Sequence, residues 1–295
     1  MHRISNDACH AEAHDEGALV TSWAPVGFDD VLFLSRASHP GTGAEVHGGI
    51  PICAPWFGAG LPGRIVPRAH GIVRYLPWRL TMRDDQSGFQ RTGHRGRPWP
   101  TSPAVASSTL LEWQLDHIDG EPGAGDYPSD IWFTSRARFS TTLHLELEIG
   151  AGSDFVLDQA FHTYFAVDDV SAVTIEGLEG LPYRDHDTGA HGSDQVPLRT
   201  SGAVNRVYRG CPSTIRITDG RRSISVAARG AASTVVWNPG PAAEVTGLAA
   251  DEWRSMICVE VGNVIDQPVH VPAGGSHVLG MEISVEARQP SQNSR

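Results

Sequence analysis

The stretch "TLHLELEIG", Thr142 to Gly150, sets Leu143, Leu145, Leu147 and Ile149 in alternation with His144, Glu146 and Glu148. Side chains along a strand point to opposite faces in turn, so a period of two means one apolar face and one wet face. Near the end of the chain, "VLGMEISVEA" repeats the pattern with Leu279, Met281, Ile283 and Val285 on one side. Further short β-rich runs are "DDVLFLS", "SAVTIEGL", "STIRIT", "RSISVAA" and "STVVWNP", separated by clusters of Gly, Pro, Asp and Asn. Helical periodicity is nearly absent; its one candidate is the short segment Pro241 to Met256. The pattern predicts an all-β chain folded as an antiparallel sandwich of two large sheets.

A chain of 295 residues is long for one domain, yet β-sandwiches and barrels reach such sizes. The expected organisation is a loosely held or disordered N-terminus over residues 1–20, one sandwich domain over 21–287 and a disordered tail over 288–295. Residues 84–108, polar and rich in Gly and Pro, read as a long loop within that domain.

The formal charge is −11, from 34 acidic and 23 basic residues, which offers nucleic acid or an anionic membrane little to hold. An anionic ligand would need a local cluster of cations. Cys9, Cys53, Cys211 and Cys258 show neither the spacing of a zinc site nor a dense disulfide framework, and suit a reducing cytoplasm. The first twenty residues lack a basic start with an apolar core, and no run of eighteen apolar residues occurs. A soluble, cytoplasmic protein is expected. Cys9, His10 and His14 read as part of a polar terminus, and His39, His47 and His70 as loop residues, ahead of any metal site.

Several polar side chains stand in apolar company. Glu260 follows Met256, Ile257, Cys258 and Val259 in "MICVEVGN". A carboxylate in such a run is costly unless paired, and desolvation would raise its pKa toward that of a general base. Alternation with Val259 and Val261 leaves the other reading open, an ordinary exposed acid. His162 sits among Phe161, Tyr164 and Phe165, where a core histidine bonded to a carbonyl is the alternative. His70 and Arg74 share "RAHGIVRYLPW", and Trp237 closes a strand in "VVWNPG". Two histidines, a carboxylate and an arginine begin to make an acid/base site. In "EVHGGIPICAPWFG", Glu45 to Gly58, the paired glycines allow close backbone approach and the prolines fix its path.

"GGIPICAPWFG", "HGIVR" with a following tryptophan, "FHTYF", "IEGLEGLPYRD", "VVWNPG" and "MICVEVGN" occur in this order. In these motifs the chain resembles the hexose-6-phosphate mutarotases, the glucose-6-phosphate 1-epimerase group of the aldose 1-epimerase superfamily. The resemblance runs from about Phe33 to about Val285. It implies a large antiparallel β-supersandwich of the galactose mutarotase type, and an isomerase that interconverts α and β anomers by opening and reclosing the sugar ring. By that analogy Glu260 is the base and His162 the acid. His70 becomes a polar contact near the ring oxygen, and Arg74 a ligand for a substrate oxygen or phosphate. Trp56, Trp78 and Trp237 are candidate walls against a sugar face, and no metal or organic cofactor is implied. The implied partner is a small sugar or sugar phosphate, and a monomer or weak homodimer is expected.

Two positions depart from the family pattern. His47 stands where relatives usually carry an arginine that looks like a phosphate ligand, and Asn205 stands where they commonly carry aspartate. Histidine is only partly charged near neutrality, so the case for a phosphorylated substrate weakens. Arg64 and Arg68 read equally as replacement cations and as solvated loop residues. The alternative is the same scaffold applied to another acid/base isomerisation, epimerisation or cyclisation on a non-phosphorylated substrate.

Overall fold

The alternation in Thr142 to Gly150 becomes the Leu143–Gly150 strand, with Leu143, Leu145, Leu147 and Ile149 buried and His144, Glu146 and Glu148 half-buried. The computed structural model describes residues 1–60, 66–85, 107–200 and 202–288. This strand lies within a nine-stranded sheet ordered Leu198–Arg199, Thr174–Glu176, Ile215–Thr218, Arg222–Arg229, Ser276–Ala287, Leu143–Gly150, Trp132–Phe139, Thr109–Leu115, Arg79–Asp84. A second sheet has eight strands. Its order is His191–Ser193, Pro182–Asp185, Val204–Arg209, Ser233–Asn238, Met256–Asn263, Gln159–Phe161, Ile52–Cys53, and Tyr164–Ala166 also pairs with Met256–Asn263. Neighbouring strands in both sheets are antiparallel.

One face of each sheet meets the main core. From the eight-stranded sheet come Phe161, Val236, Ile257, Val259 and Val261; from the nine-stranded sheet come Leu145, Leu147, Ile149, Met281 and Ile283. Each such side chain contributes about 1.5–3 kcal/mol when fully buried. Pairing Val259 and Val261 into this core turns Glu260 to the other face of its strand. That face is covered as well.

Three expectations need correction. Residues 1–20 are held in a three-stranded sheet of His2–Ser5, Cys9–His14 and Leu19–Pro25. Ile4, Cys9, Ala11, Ala13, Val20 and Trp23 feed the core, while the Asp15 carboxylate receives the Trp113 indole N–H at 2.9 Å and lies 2.6 Å from His2 Nε2. Its polar residues mark one wet face of a sheet, not raggedness. The Pro241 to Met256 segment is not an α-helix: it is turns followed by a 3-10 turn over Glu252–Ser255. The Glu252 carboxylate accepts from Ser35 Oγ at 2.6 Å, Arg36 N at 2.9 Å and Ala249 N at 2.8 Å, tying the segment to another loop. "DDVLFLS" makes only isolated bridges, Leu32 to Phe165 and Leu34 to Gly48, because the Asp30 side chain captures Trp23 N and Leu32 N.

Arg64, most of the 84–108 loop and the tail beyond Arg288 lie outside the described residues. Cys9, Cys53, Cys211 and Cys258 are all free thiols. Among the described residues no helix is long and apolar enough to cross a membrane.

Candidate active site

The Gln159–Phe161 and Tyr164–Ala166 strands pair with the same Met256–Asn263 strand in one continuous register, Phe161 opposite Val261 and Tyr164 opposite Cys258. His162 therefore stands directly opposite Glu260, on the same face. Its own backbone N–H continues the pairing with the Ile52–Cys53 side and bonds Pro51 O at 2.9 Å, while Val259 N bonds Thr163 O and Thr163 N turns back to Phe161 O. His162 Nε2 lies 3.5 Å from Glu260 Oε1, with side chains only 8% and 2% exposed. An acid and a base facing each other across two strands are fixed by the sheet itself.

The Glu45 to Gly58 stretch runs alongside this pair, its Ile52–Cys53 strand lying next to Gln159–Phe161 in the same sheet. Gly49 takes φ +64, and a Cβ there would stand 2.2 Å from Val20 O. Only glycine permits that approach. Gly49 O in turn receives Tyr164 N at 3.0 Å. His70 itself sits at φ +62, held by His70 N to Gly58 O at 3.0 Å and Ile72 N to Ala54 O at 3.0 Å. This backbone, uncommon for a non-glycine residue, aims the imidazole at His162, ring centroids 5.3 Å apart.

Burial governs the charges. It holds the Glu260 carboxyl well above the usual carboxylate range, opposed by the Arg74 cation. It also holds His162 well below its ordinary value, helped by the Arg74 cation and by the unfavourable proximity of a second and third imidazole, His70 and His47. His70 is pushed down to about 3 for the same reasons. Burial thus disfavours both charged forms, the carboxylate and the imidazolium. Three polar atoms here lack any hydrogen-bond partner: His70 Nδ1, His162 Nδ1 and Glu260 Oε2. Leaving a buried polar atom unpaired costs about 1–3 kcal/mol. Three such atoms in one place describe a site shaped for a ligand with hydroxyl groups.

The other expected residues separate into two groups. Trp237, opposite both Cys258 and Asn205, presents its ring 6.2 Å from His162 and from Tyr164, and so walls the site. Asn205 lies on the same face and donates to Asp187 Oδ1 at 2.7 Å. Arg74 is buried near the pair, donating to Val46 O at 3.0 Å with Glu45 3.7 Å away. His47 is engaged on both sides, Nδ1 3.1 Å from the Tyr164 hydroxyl and a further hydrogen bond to the Thr246 backbone. Burial holds it below the ordinary histidine value. Trp56 is a correction: it is fully buried in the main core, stacked on Tyr127 with its indole N–H on Arg68 O, because its loop folds inward beneath the sheet edge. Trp78 is likewise core, against Phe133. Arg68 lies over the Tyr75 ring. Tyr164 was not singled out, though its place two residues after His162 on a strand already implied the same face. Among the described residues no three His, Cys, Asp or Glu side chains gather as a metal site.

A family model for aldose 1-epimerases matches residues 1–284. The chain belongs to the aldose 1-epimerase family. It is an isomerase-class enzyme, and its family reaction is mutarotation. One relative of this family, "Putative glucose-6-phosphate 1-epimerase" of Salmonella typhimurium, is 32% identical over 259 residues, spanning 83% of this chain and 76% of that one. The crystal structure of a "putative mutarotase" from the same organism superposes with TM-score 0.82 at 26% identity, covering 97% of this chain and 90% of the other. The galactose 1-epimerase of Lactobacillus acidophilus shares the aldose 1-epimerase fold at TM-score 0.69 and 12% identity, over 97% and 94% of the two chains.

Proposed function

We propose that the enzyme interconverts the anomers of an aldose, free or as its phosphate ester, with Glu260 and His162 as the proton-transfer pair. The supporting observation is the cross-strand pair itself, 3.5 Å apart beside unpartnered Glu260 Oε2, His162 Nδ1 and His70 Nδ1. In this reading the pair holds one proton between its two members. Passing the shared proton from Glu260 to His162 gives a carboxylate and an imidazolium, a tautomer that the nearby Arg74 charge favours at Glu260. Glu260 then takes the C1 hydroxyl proton, His162 protonates the ring oxygen, and the C1–O bond breaks. The open-chain aldehyde thus coexists with the same neutral pair that burial favours at rest. Rotation about C1–C2 and the reverse transfers reclose the ring on the other face, so no proton is consumed. His70, neutral at any working pH, supplies a hydrogen bond, and Trp237 an apolar wall.

The substrate's charge turns on His47 and Arg74. Relatives are named for glucose 6-phosphate. In this chain the neutral, doubly bonded His47 and the Arg74 beside Glu45 supply little free positive charge. This favours a second reading, acid/base isomerisation of a non-phosphorylated substrate. A monomer or weak homodimer in a reducing cytoplasm is part of the same proposal. Magnetisation-transfer NMR on glucose 6-phosphate, glucose and galactose, with wild type beside Glu260→Gln, decides among them. Fast exchange abolished by the substitution supports the mutarotase reading, and the preferred sugar selects the ester or the free aldose. Exchange indifferent to Glu260→Gln, or none on any sugar, overturns it.

A further inference from the structure

We propose that the sheet face bearing Glu260 carries a second binding position, near Arg184 and His191, for an anionic group on a sugar unit attached to the reacting one. The inference rests on the mutarotase reading and extends it to the class of substrate. A cavity of about 240 Å³ opens over the Pro182–Asp185 and His191–Ser193 strands, lined by Arg184, His186, His191 and Arg209 among others. The register places it: Arg184 pairs with Val207, Val207 with Val235, and Val235 with Glu260. Directly opposed residues share a face, so cavity and catalytic pair lie on one side of one sheet.

Alternation also sorts the charges. Arg184 and His191 are opposed to each other and point to the cavity side, while the intervening Asp185 and the neighbouring Asp194 turn to the other face, where Arg206 meets both at 3.9 Å and 2.9 Å. Within the cavity the Asp266 carboxylate is taken by Arg209 at 2.7 Å, and nearby Asp187 is taken by Asn205 at 2.7 Å. The Arg184 guanidinium and the imidazoles of His186 and His191 keep no side-chain partner among the described residues. In a chain of net charge −11 this leaves the Arg184 guanidinium, a fork suited to carboxylate or phosphate, without a paired carboxylate among the described residues.

Distance fixes which part of the substrate arrives there. Arg184 is three strands from Glu260, roughly 14 Å at about 4.8 Å per strand. That exceeds the span of one pyranose. Between them on that face stand Val207, which lines the cavity, and Val235, both buried in an apolar cluster with Phe57 and Val264. A reducing disaccharide with its free anomeric centre at Glu260 and His162 brings an acidic group on its second ring to Arg184.

The test measures anomer exchange on glucose, cellobiose, cellobiouronic acid and cellobiose 6′-phosphate, with wild type, Arg184→Ala and Arg184→Lys. The expected result is kcat/KM about tenfold higher for at least one acidic disaccharide than for cellobiose. Arg184→Ala should remove that advantage, Arg184→Lys should restore part, and glucose should exchange equally in all three. Whichever acidic disaccharide gains identifies carboxylate or phosphate as the anion. Acidic disaccharides no better than cellobiose, or glucose slowed by Arg184→Ala as much as they are, overturn the proposal. Should wild type exchange no sugar, the mutarotase reading fails separately. The subsite is then decided by titrating the His186 and His191 imidazole NMR signals with cellobiouronate: shifts abolished by Arg184→Ala support it, and their absence overturns it.

Discussion

Tyr164 lies flat against His162, ring centroids 4.7 Å apart and planes 10° from parallel, while its hydroxyl is 3.1 Å from His47 Nδ1. The stack fixes the plane of the proposed acid, and His47 fixes the stack. Since His47 also bonds the Thr246 backbone, the chain runs from the 239–250 loop to the imidazole of the proposed acid through two rings. Tyr164→Phe should keep the stack but strand buried His47, costing about 1–3 kcal/mol of stability. Steady-state kinetics should show kcat reduced several-fold with KM little changed. An unchanged kcat would leave Tyr164 a packing residue only.

Glu260→Gln removes the proposed base, and kcat for anomer exchange should fall by about 10²–10⁴. A loss smaller than tenfold on every sugar would take Glu260 out of the proton transfer.

The same substitution should stabilise the fold. Glu260 has its folded pKa raised above its unfolded value, so its contribution is fully present below about pH 4.5 and is lost as pH rises through the folded pKa. Thermal melts should therefore show Glu260→Gln gaining on wild type as pH rises from 4.5, with the larger margin at pH 8. Parallel curves would show that burial does not penalise the carboxylate.

For the wild type, kcat/KM against pH, which reports groups of the free enzyme, should lack the histidine step near pH 6.5. Activity requires one proton on the pair: it is lost on the acid side when His162, held low, gains a second, and on the alkaline side when Glu260, held high, loses the last. A sharp optimum with a step near pH 6.5 would contradict a depressed His162.

Trp56→Ala should cost about 3–5 kcal/mol through a core cavity, while KM of the folded fraction stays at the wild-type value. A raised KM with normal stability would return Trp56 to the sugar pocket.

Much of this was legible in the residues. Alternation in Leu143–Gly150 and Ser276–Ala287 is a local property of strands, and both strands lie where the pattern placed them. The Glu260 question could not be closed locally. Val259 and Val261 correctly indicated that the carboxylate faces away from the core, but that this face is buried as well depends on side chains distant in sequence, His162 and Arg74 among them. His162 opposite Glu260 likewise needs the register between distant strands. Trp56 misled because a tryptophan beside prolines looks the same whether it walls a pocket or fills a core. The N-terminal residues misled because Asp15, His2 and Trp113 compensate one another across distant positions.

The pairing of His162 opposite Glu260 ties correct folding to competence. A slip of one residue between those strands would point the carboxylate into the apolar core and a valine at the imidazole. Misregistered molecules would then be both unstable and inert. The fraction of a preparation that turns over sugar should thus equal the fraction that has found its native sheet, making anomer exchange a direct assay of refolding yield.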